Sequence, residues 1–219
     1  VIESSDPEFK IGDRVVSNGP HAEIVTVSPN LCCKIPDKVS FETAAFTVLG
    51  SIALQGIRRI EPTIGETIVV VGLGVIGNIA CQILVANGCK VIAVDPNLDR
   101  CKKAEELGIK SVCINQDQNY SQLVSGYNND EEVDAVLITA SSNSKKIINF
   151  SAEICRKRGR IVLIGVVGLD LDRDLFYKKE LLFSVSSAYG PGRYDTDYEE
   201  KNLKYPIGFV RWTAKRNFA

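Results

Sequence analysis

Residues 67–77 read Thr-Ile-Val-Val-Val-Gly-Leu-Gly-Val-Ile-Gly, and this stretch decides the fold. Its first five residues, Thr67–Val71, are β-prone, mostly apolar and uncharged, which predicts a strand buried on both faces of a parallel sheet. Three glycines follow, and the apolar residues then recur with the helical period. A strand that leads through a glycine turn into a helix predicts an α/β architecture.

Each glycine of this turn has a physical task in a Rossmann-type dinucleotide site. The first allows a tight turn, the second lets the backbone approach a pyrophosphate, and the third lets the helix pack close to the strand. Free N–H groups and the helix dipole then face the phosphates. The residues predicted to bind the pyrophosphate are Gly72, Gly74, Val75, Ile76 and Gly77.

Asp95 ends the second predicted strand, about twenty residues after the glycine turn, where an acidic residue accepts hydrogen bonds from ribose hydroxyls. A 2′-phosphate would meet its negative charge, so the sequence favours NAD over NADP. Arg100 lies five residues further on and is included in the predicted site, as a partner of the ribose or of Asp95; a solvated helix charge is the alternative. A Rossmann-like domain that has lost its ligand is the alternative for the whole constellation.

Strands and helices alternate along the remainder of the chain, which predicts a doubly wound parallel sheet. A helix through residues 44–57 is expected to precede the glycine turn, and two strands, Arg14–Ser17 and Glu23–Val27, to lie near the N-terminus. The other predicted strands are Val91–Val94, Ser111–Ile114, Val133–Thr139, Arg160–Ile164 and Leu181–Ser186. The other predicted helices are Leu98–Leu107, Tyr120–Val124 and Lys145–Cys155.

Two loops that carry small residues lie at the carboxyl ends of these strands. Open α/β sheets bind ligands at this edge. Ala140 lies in the first loop, and Gly165, Val166 and Val167 lie in the second. We expect both to approach the nicotinamide half of the cofactor; plain tight loops are the alternative.

The composition of the chain argues against proteins that bind nucleic acid or membranes through their overall charge. The 219 residues are 24% charged with a formal net charge of −1, which gives no general attraction to nucleic acid or an anionic membrane. The basic run Arg156–Arg160 is expected to be the last turn of a helix that stops at Gly159. Seven cysteines without a CxxC motif indicate buried free thiols in a reducing cytoplasm. The chain starts without methionine and ends without a cap, as expected of a fragment.

Several motifs together resemble the medium-chain dehydrogenases/reductases, the zinc-type alcohol-dehydrogenase-like superfamily. They are Gly12-Asp13-Arg14-Val15, Ala44-Ala45-Phe46, the glycine turn from Val70 to Gly77, and the Ala-Val-Asp strand end at Asp95. Residues 18–23, 189–194 and 205–213 are similar to the dehydrogenase half of bacterial bi-domain oxidoreductases. That resemblance implies a homodimer and a second oxidoreductase domain fused at the C-terminus.

The resemblance also implies that the chain has three segments, and it suggests whether the chain carries zinc ligands. Residues 1–40 would be the tail of a GroES-like β domain, 41–190 the Rossmann domain, and 191–219 an extension returning to the first domain. Zinc-dependent members carry a cysteine in the helical stretch after the Ala-Ala pair, where this chain has Leu49. We therefore expect no metal ligands here and no zinc.

The leading hypothesis is a zinc-independent, NAD(H)-dependent dehydrogenase that moves a hydride between nicotinamide and an alcohol or carbonyl carbon of a small, sugar-related molecule. The sequence identifies no proton donor. Tyr189, Arg193 and Tyr194 are candidates, although a structural or interface role is favoured, and His21 is expected on the surface. The alternatives are a non-catalytic NAD-binding module or a dimerisation domain that pairs through the edge strand Leu181–Ser186.

Overall fold

The structure, a computed structural model, describes residues 1–114 and 120–219. The chain divides into two compact units. One comprises Gly56–Ser186, and the other combines Val1–Gln55 with Ser187–Ala219.

The unit Gly56–Ser186 is built on a six-stranded parallel sheet, which confirms the predicted Rossmann architecture. Across the sheet the strands follow the order β10 (Leu182–Val185), β8 (Cys155–Leu163), β6 (Val133–Ile138), β3 (Thr67–Val71), β4 (Lys90–Asp95) and β5 (Lys110–Cys113), so β3 with the glycine turn at its end lies between β6 and β4. The strands of the described residues are β1 (Val15–Ser17), β2 (Cys32–Lys34), β3 (Thr67–Val71), β4 (Lys90–Asp95), β5 (Lys110–Cys113), β6 (Val133–Ile138), β7 (Ser141–Ser142), β8 (Cys155–Leu163), β9 (Val166–Val167) and β10 (Leu182–Val185).

Helices follow most of these strands, as the alternating pattern predicts. The α-helices of the described residues are α1 (Phe41–Ala44), α2 (Thr47–Ile60), α3 (Val75–Ala86), α4 (Leu98–Glu106), α5 (Tyr120–Tyr127), α6 (Lys146–Ile154), α7 (Arg173–Lys179), α8 (Thr196–Glu199) and α9 (Ala214–Phe218). The predicted helix over residues 98–107 is confirmed to within a residue, and the Tyr120–Val124 helix runs three residues further than predicted.

The core of this unit explains why β3 could be predicted so closely. All five residues of β3 are buried, because the strand has a neighbour on each side and packing on both faces. A cluster that includes Val69, Ile92, Val136 and Ile161 fills the space between the strands and the helix α6. Continuous apolar runs, rather than alternating ones, are what such strands require.

The basic run Arg156–Arg160 lies in the first part of β8, so the prediction of a helix end is wrong. Cys155 pairs with Val133 and Arg160 with Ala135, so the residues between them bulge out of the ladder. Three arginines of this run form ion pairs with carboxylates that are distant in sequence. A pattern of neighbouring residues cannot reveal such pairs. The pairs are Arg156–Asp134 at 2.7 Å, Arg158–Glu180 at 2.7 Å and Arg160–Glu66 at 2.6 Å.

The unit of Val1–Gln55 and Ser187–Ala219 has a small core of its own around Cys33, Tyr189, Tyr198 and Phe218. Its strands β1 and β2 form an antiparallel pair. The predicted strand Glu23–Val27 is wrong: this segment is irregular and largely exposed, with no partner strand among the described residues. A β-prone sequence does not form a strand without a neighbour to pair with.

All seven cysteines are free, and all except Cys113 are buried. Burial raises the pKa of the Cys81 and Cys155 thiols to about 12. Within the part of the chain that the structure describes, no helix has the length and apolar character needed to cross a bilayer.

Candidate cofactor site

A cleft of about 950 Å³ opens at the carboxyl ends of β3, β4 and β6. The glycine turn forms its floor, and the residues that follow β4 and β6 form its walls. This is the edge at which open parallel sheets bind nucleotides, since helix N-termini and loops converge there.

Gly72 and Gly77 hold the turn in a shape that no larger residue allows. Gly72 has φ +98°, and a Cβ built on it would lie 2.7 Å from the amide nitrogen of Ala140. A Cβ on Gly77 would lie 1.8 Å from the carbonyl oxygen of Gly72. The Thr139 hydroxyl donates to that same oxygen at 2.6 Å, so strand, turn and helix are packed backbone to backbone.

Gly74, in contrast to the crowded Gly72 and Gly77, faces open space. A Cβ on this residue would meet nothing within 4 Å, and the residue is exposed at the start of α3. No side chain caps the helix, and its first turn carries no acidic residue. Unpaired N–H groups beside open space form an anion site, so this feature fits the pyrophosphate of a dinucleotide. Val75 and Ile76 lie in the same helical turn; Val75 is 51% exposed.

Asp95 lies on the same cleft, and its carboxylate is held by two backbone N–H groups. Its side chain is 3% exposed. One carboxylate oxygen accepts the backbone N–H of Leu73 at 2.7 Å, and the other accepts that of Asn97 at 2.8 Å. Arg100 lies 3.5 Å away and is half exposed. The structure therefore brings together the glycine turn, the acidic residue and the arginine that the sequence singles out.

The far end of the cleft carries an apolar, aromatic wall that the sequence reasoning missed. Tyr120 and Phe150 pack edge to face with centroids 5.7 Å apart. Ile114 and Ile147 complete the wall, and Lys146 also lines the cleft. Aromatic and aliphatic surfaces of this kind suit a flat heterocycle such as adenine. Nothing local distinguishes these residues from core residues, so only the fold identifies them as cleft residues.

The two loops predicted to lie near the nicotinamide adjoin one another. Ser141 pairs with Val166, and a Cβ on Gly165 would lie 2.0 Å from the Ala140 carbonyl oxygen. Ala140 lines the cleft, whereas Val167 is buried and the side chain of Val166 is 71% exposed. Gly165, Val166 and Val167 are not among the residues that line it.

The residues weighed as proton donors lie in the other unit. The Tyr189 hydroxyl accepts from Asn18 at 2.8 Å and donates to Glu199 at 3.2 Å, and burial raises the pKa of Tyr189 to about 12. Arg193 pairs with the same glutamate at 2.8 Å. Tyr194 and His21 are exposed.

Among residues 1–114 and 120–219, no group of three or more histidine, cysteine, aspartate or glutamate side chains is placed to hold a metal. Leu49 lies half buried in α2.

Comparison with known proteins gives the family. The sequence profile described as zinc-binding dehydrogenase matches residues 75–204, which is more than half of the chain. The chain is 28% identical over 172 residues to 2-dehydro-3-deoxy-L-galactonate 5-dehydrogenase of Pseudoalteromonas atlantica, covering 78% of this chain and 50% of that protein. It is 35% identical over 112 residues to D-guloside 3-dehydrogenase of Escherichia coli K12, covering 49% and 32%.

A solved structure is similar in both fold and sequence. It is described as a short chain alcohol dehydrogenase of E. coli CFT073 and is complexed with NADH, with a TM-score of 0.65 and 25% identity, covering 73% of this chain and 48% of that one. The chain spans half or less of the length of these relatives. The parallel sheet, the glycine turn and the profile match agree, and the chain belongs to the zinc-binding dehydrogenase family within the medium-chain alcohol-dehydrogenase-like superfamily.

Proposed function

We propose that this chain is the nucleotide-binding part of an NAD(H)-dependent dehydrogenase. The observation that carries the proposal is the juxtaposition, in one cleft, of an uncapped helix start, open space above Gly74 and the carboxylate of Asp95. These three features match the pyrophosphate and the adenosine ribose of one dinucleotide. The E. coli relative complexed with NADH supports this choice of ligand.

The residues of this chain bind and orient the cofactor. In this proposal, Gly72, Gly74, Val75, Ile76 and Gly77 hold the pyrophosphate, Asp95 and Arg100 the ribose, and Ala140, Gly165, Val166 and Val167 the nicotinamide side. Bound NAD supplies the hydride-accepting ring, and the protein supplies position and electrostatics. The buried negative charge of Asp95 would repel a 2′-phosphate, so we propose NAD rather than NADP.

The proposed substrate is a small, sugar-related alcohol or its carbonyl product. The names of two relatives, a 2-dehydro-3-deoxy-L-galactonate 5-dehydrogenase and a D-guloside 3-dehydrogenase, support this class. We also propose that the reaction is zinc-independent, because Leu49 stands where the zinc-dependent pattern has cysteine. The proton donor stays unassigned.

The organisation of the whole protein is likewise a proposal. In this proposal, residues 1–40 are the tail of a GroES-like domain, 41–190 the Rossmann domain and 191–219 an extension returning towards the first domain, with a further oxidoreductase domain fused at the C-terminus. We propose a homodimer that pairs through β10, which lies at the edge of the sheet and exposes Leu182 and Val185. The seven free thiols support a cytoplasmic location.

Calorimetric titration of the 219-residue chain with NAD⁺, NADH and NADPH tests the proposal. Gly74→Val places a side chain in open space where the pyrophosphate would lie, so it should fold normally and lose binding. Gly126→Ala, at another open helical glycine, is the matched control and should bind as the parent does. Absence of binding by the parent chain, or undiminished binding by Gly74→Val, would contradict the proposed site.

A further inference from the structure

We propose that Asp95 is a positioning residue as well as the ribose ligand: its carboxylate holds the glycine turn in its phosphate-binding shape. This inference rests on the proposed function, because it concerns the same cleft. It predicts that removing the Asp95 charge, which favours NAD over NADP, also disrupts the phosphate-binding conformation of the glycine turn.

The contacts of the carboxylate support a bracing role. Asp95 lies at the end of β4, and its two oxygens accept backbone N–H groups from two different loops. Leu73 lies between the two cleft glycines, so its bond at 2.7 Å fixes the peptide that faces the phosphates. Asn97 caps α4, so its bond at 2.8 Å fixes the opposite wall.

Burial makes the bond between Asp95 and Leu73 hard to replace, whereas Asn97 is exposed. The Asp95 side chain is 3% exposed and Leu73 is 4% exposed, so water does not readily substitute for either partner. Hydrogen bonds from N–H groups to a charged acceptor are about twice as strong as neutral ones. An amide in place of the carboxylate offers one oxygen and one NH₂ group, so it can satisfy one of the two N–H groups and must oppose the other.

The bracing role is compatible with ribose binding. A carboxylate has about four lone-pair sites, and the two backbone bonds use two of them. The remaining sites can accept ribose hydroxyls, while Arg100 lies 3.5 Å from one oxygen. If Asp95 acted on the ribose alone, Asp95→Asn would keep a hydroxyl partner, lose the repelling charge and admit NADP. If Asp95 also braces the turn, both dinucleotides lose affinity.

The experiment combines hydrogen exchange on the ligand-free chain with titration of NAD⁺ and NADP⁺. The variants are Asp95→Asn and Asp95→Ala. Ser111→Ala is the matched control, because Ser111 is a buried polar residue of the adjacent strand that does not line the cleft. We expect the Leu73 and Asn97 amides to exchange about tenfold faster or more in Asp95→Ala, while Val70 in the sheet stays protected.

We also expect Asp95→Asn and Asp95→Ala to bind NAD⁺ at least about tenfold more weakly, with no gain in NADP⁺ affinity. Unchanged exchange at Leu73, or NADP⁺ binding that rises above that of the parent, would overturn the bracing role. A parallel rise at Leu73 and Val70 would overturn it as well, since that pattern means general destabilisation. If the parent binds neither dinucleotide, the proposed function fails, and the exchange measurement still decides whether Asp95 braces the turn.

Discussion

Replacement of Gly77 by alanine tests the packing of the glycine turn most directly. An added Cβ would lie 1.8 Å from the Gly72 carbonyl oxygen and 2.6 Å from the Thr139 hydroxyl. The nearest atom belongs to the backbone of a turn that β3 and β4 hold in place, so it cannot rotate away as a flexible side chain could. The Gly72 amide bonds to Val94 at 2.8 Å, and this bond resists the shift.

The size of the effect follows from three opposing contributions. Overpacking by one methyl group costs about 1–3 kcal/mol. Displacement of the Thr139–Gly72 hydrogen bond costs about 0.5–1.5 kcal/mol. Against these, alanine is favoured over glycine inside a helix by about 1 kcal/mol. We therefore expect Gly77→Ala to lower the free energy of unfolding by roughly 0.5–3.5 kcal/mol and to weaken dinucleotide binding.

Urea unfolding followed by circular dichroism measures this change. Gly126→Ala is the matched control: Gly126 lies inside α5 of the same unit, and its Cβ would meet nothing within 4 Å. That substitution should stabilise by up to about 1 kcal/mol. Trp212, the single tryptophan, lies in the other unit, so its fluorescence reports separately on that unit. If Gly77→Ala proves as stable as Gly126→Ala and binds the cofactor normally, the close packing of helix and turn is refuted.

Three further outcomes follow from the same structure. Arg160→Ala should destabilise the chain by about 1–3 kcal/mol in urea unfolding, because it leaves the largely buried Glu66 without its 2.6 Å partner; full stability would show the pair to be dispensable. Tyr189→Phe should lower stability by about 1 kcal/mol with cofactor titration unchanged, and loss of cofactor binding would place Tyr189 in the site. Alkylation of the native chain at pH 8 should label Cys113 first; faster labelling of Cys81 would contradict its burial.

The parts of the fold that were predicted from sequence are those specified by residues close together in the chain. The bounds of β3 are confirmed because five buried residues in succession admit no other element at the centre of a parallel sheet. The start of α3 follows from the glycine turn. The helix Arg173–Lys179 was missed although its signals are local: Asp172 caps it, and Lys178 and Lys179 occupy its last turn.

The errors have the opposite origin, since partners distant in sequence decide the structure there. The arginines of residues 156–160 suit a helix end when only their neighbours are considered. In the folded chain they belong to a bulged strand, because Glu66, Asp134 and Glu180 supply carboxylates from other elements. The segment Glu23–Val27 has strand composition and no neighbour to pair with among the described residues.

Asp95 has both a role that nearby sequence predicts and contacts that only the folded chain shows, and the candidate site depends on both. Its place at a strand end, about twenty residues after the glycine turn, is a local signal that predicts contact with ribose. Its burial and its bonds to Leu73 and Asn97 appear only once β3 and β4 lie side by side. A residue chosen by sequence as a ligand of the cofactor is thereby also part of the scaffold. A change in dinucleotide affinity caused by a substitution at Asp95 therefore reflects the altered shape of the glycine turn as well as the lost repulsion of a 2′-phosphate.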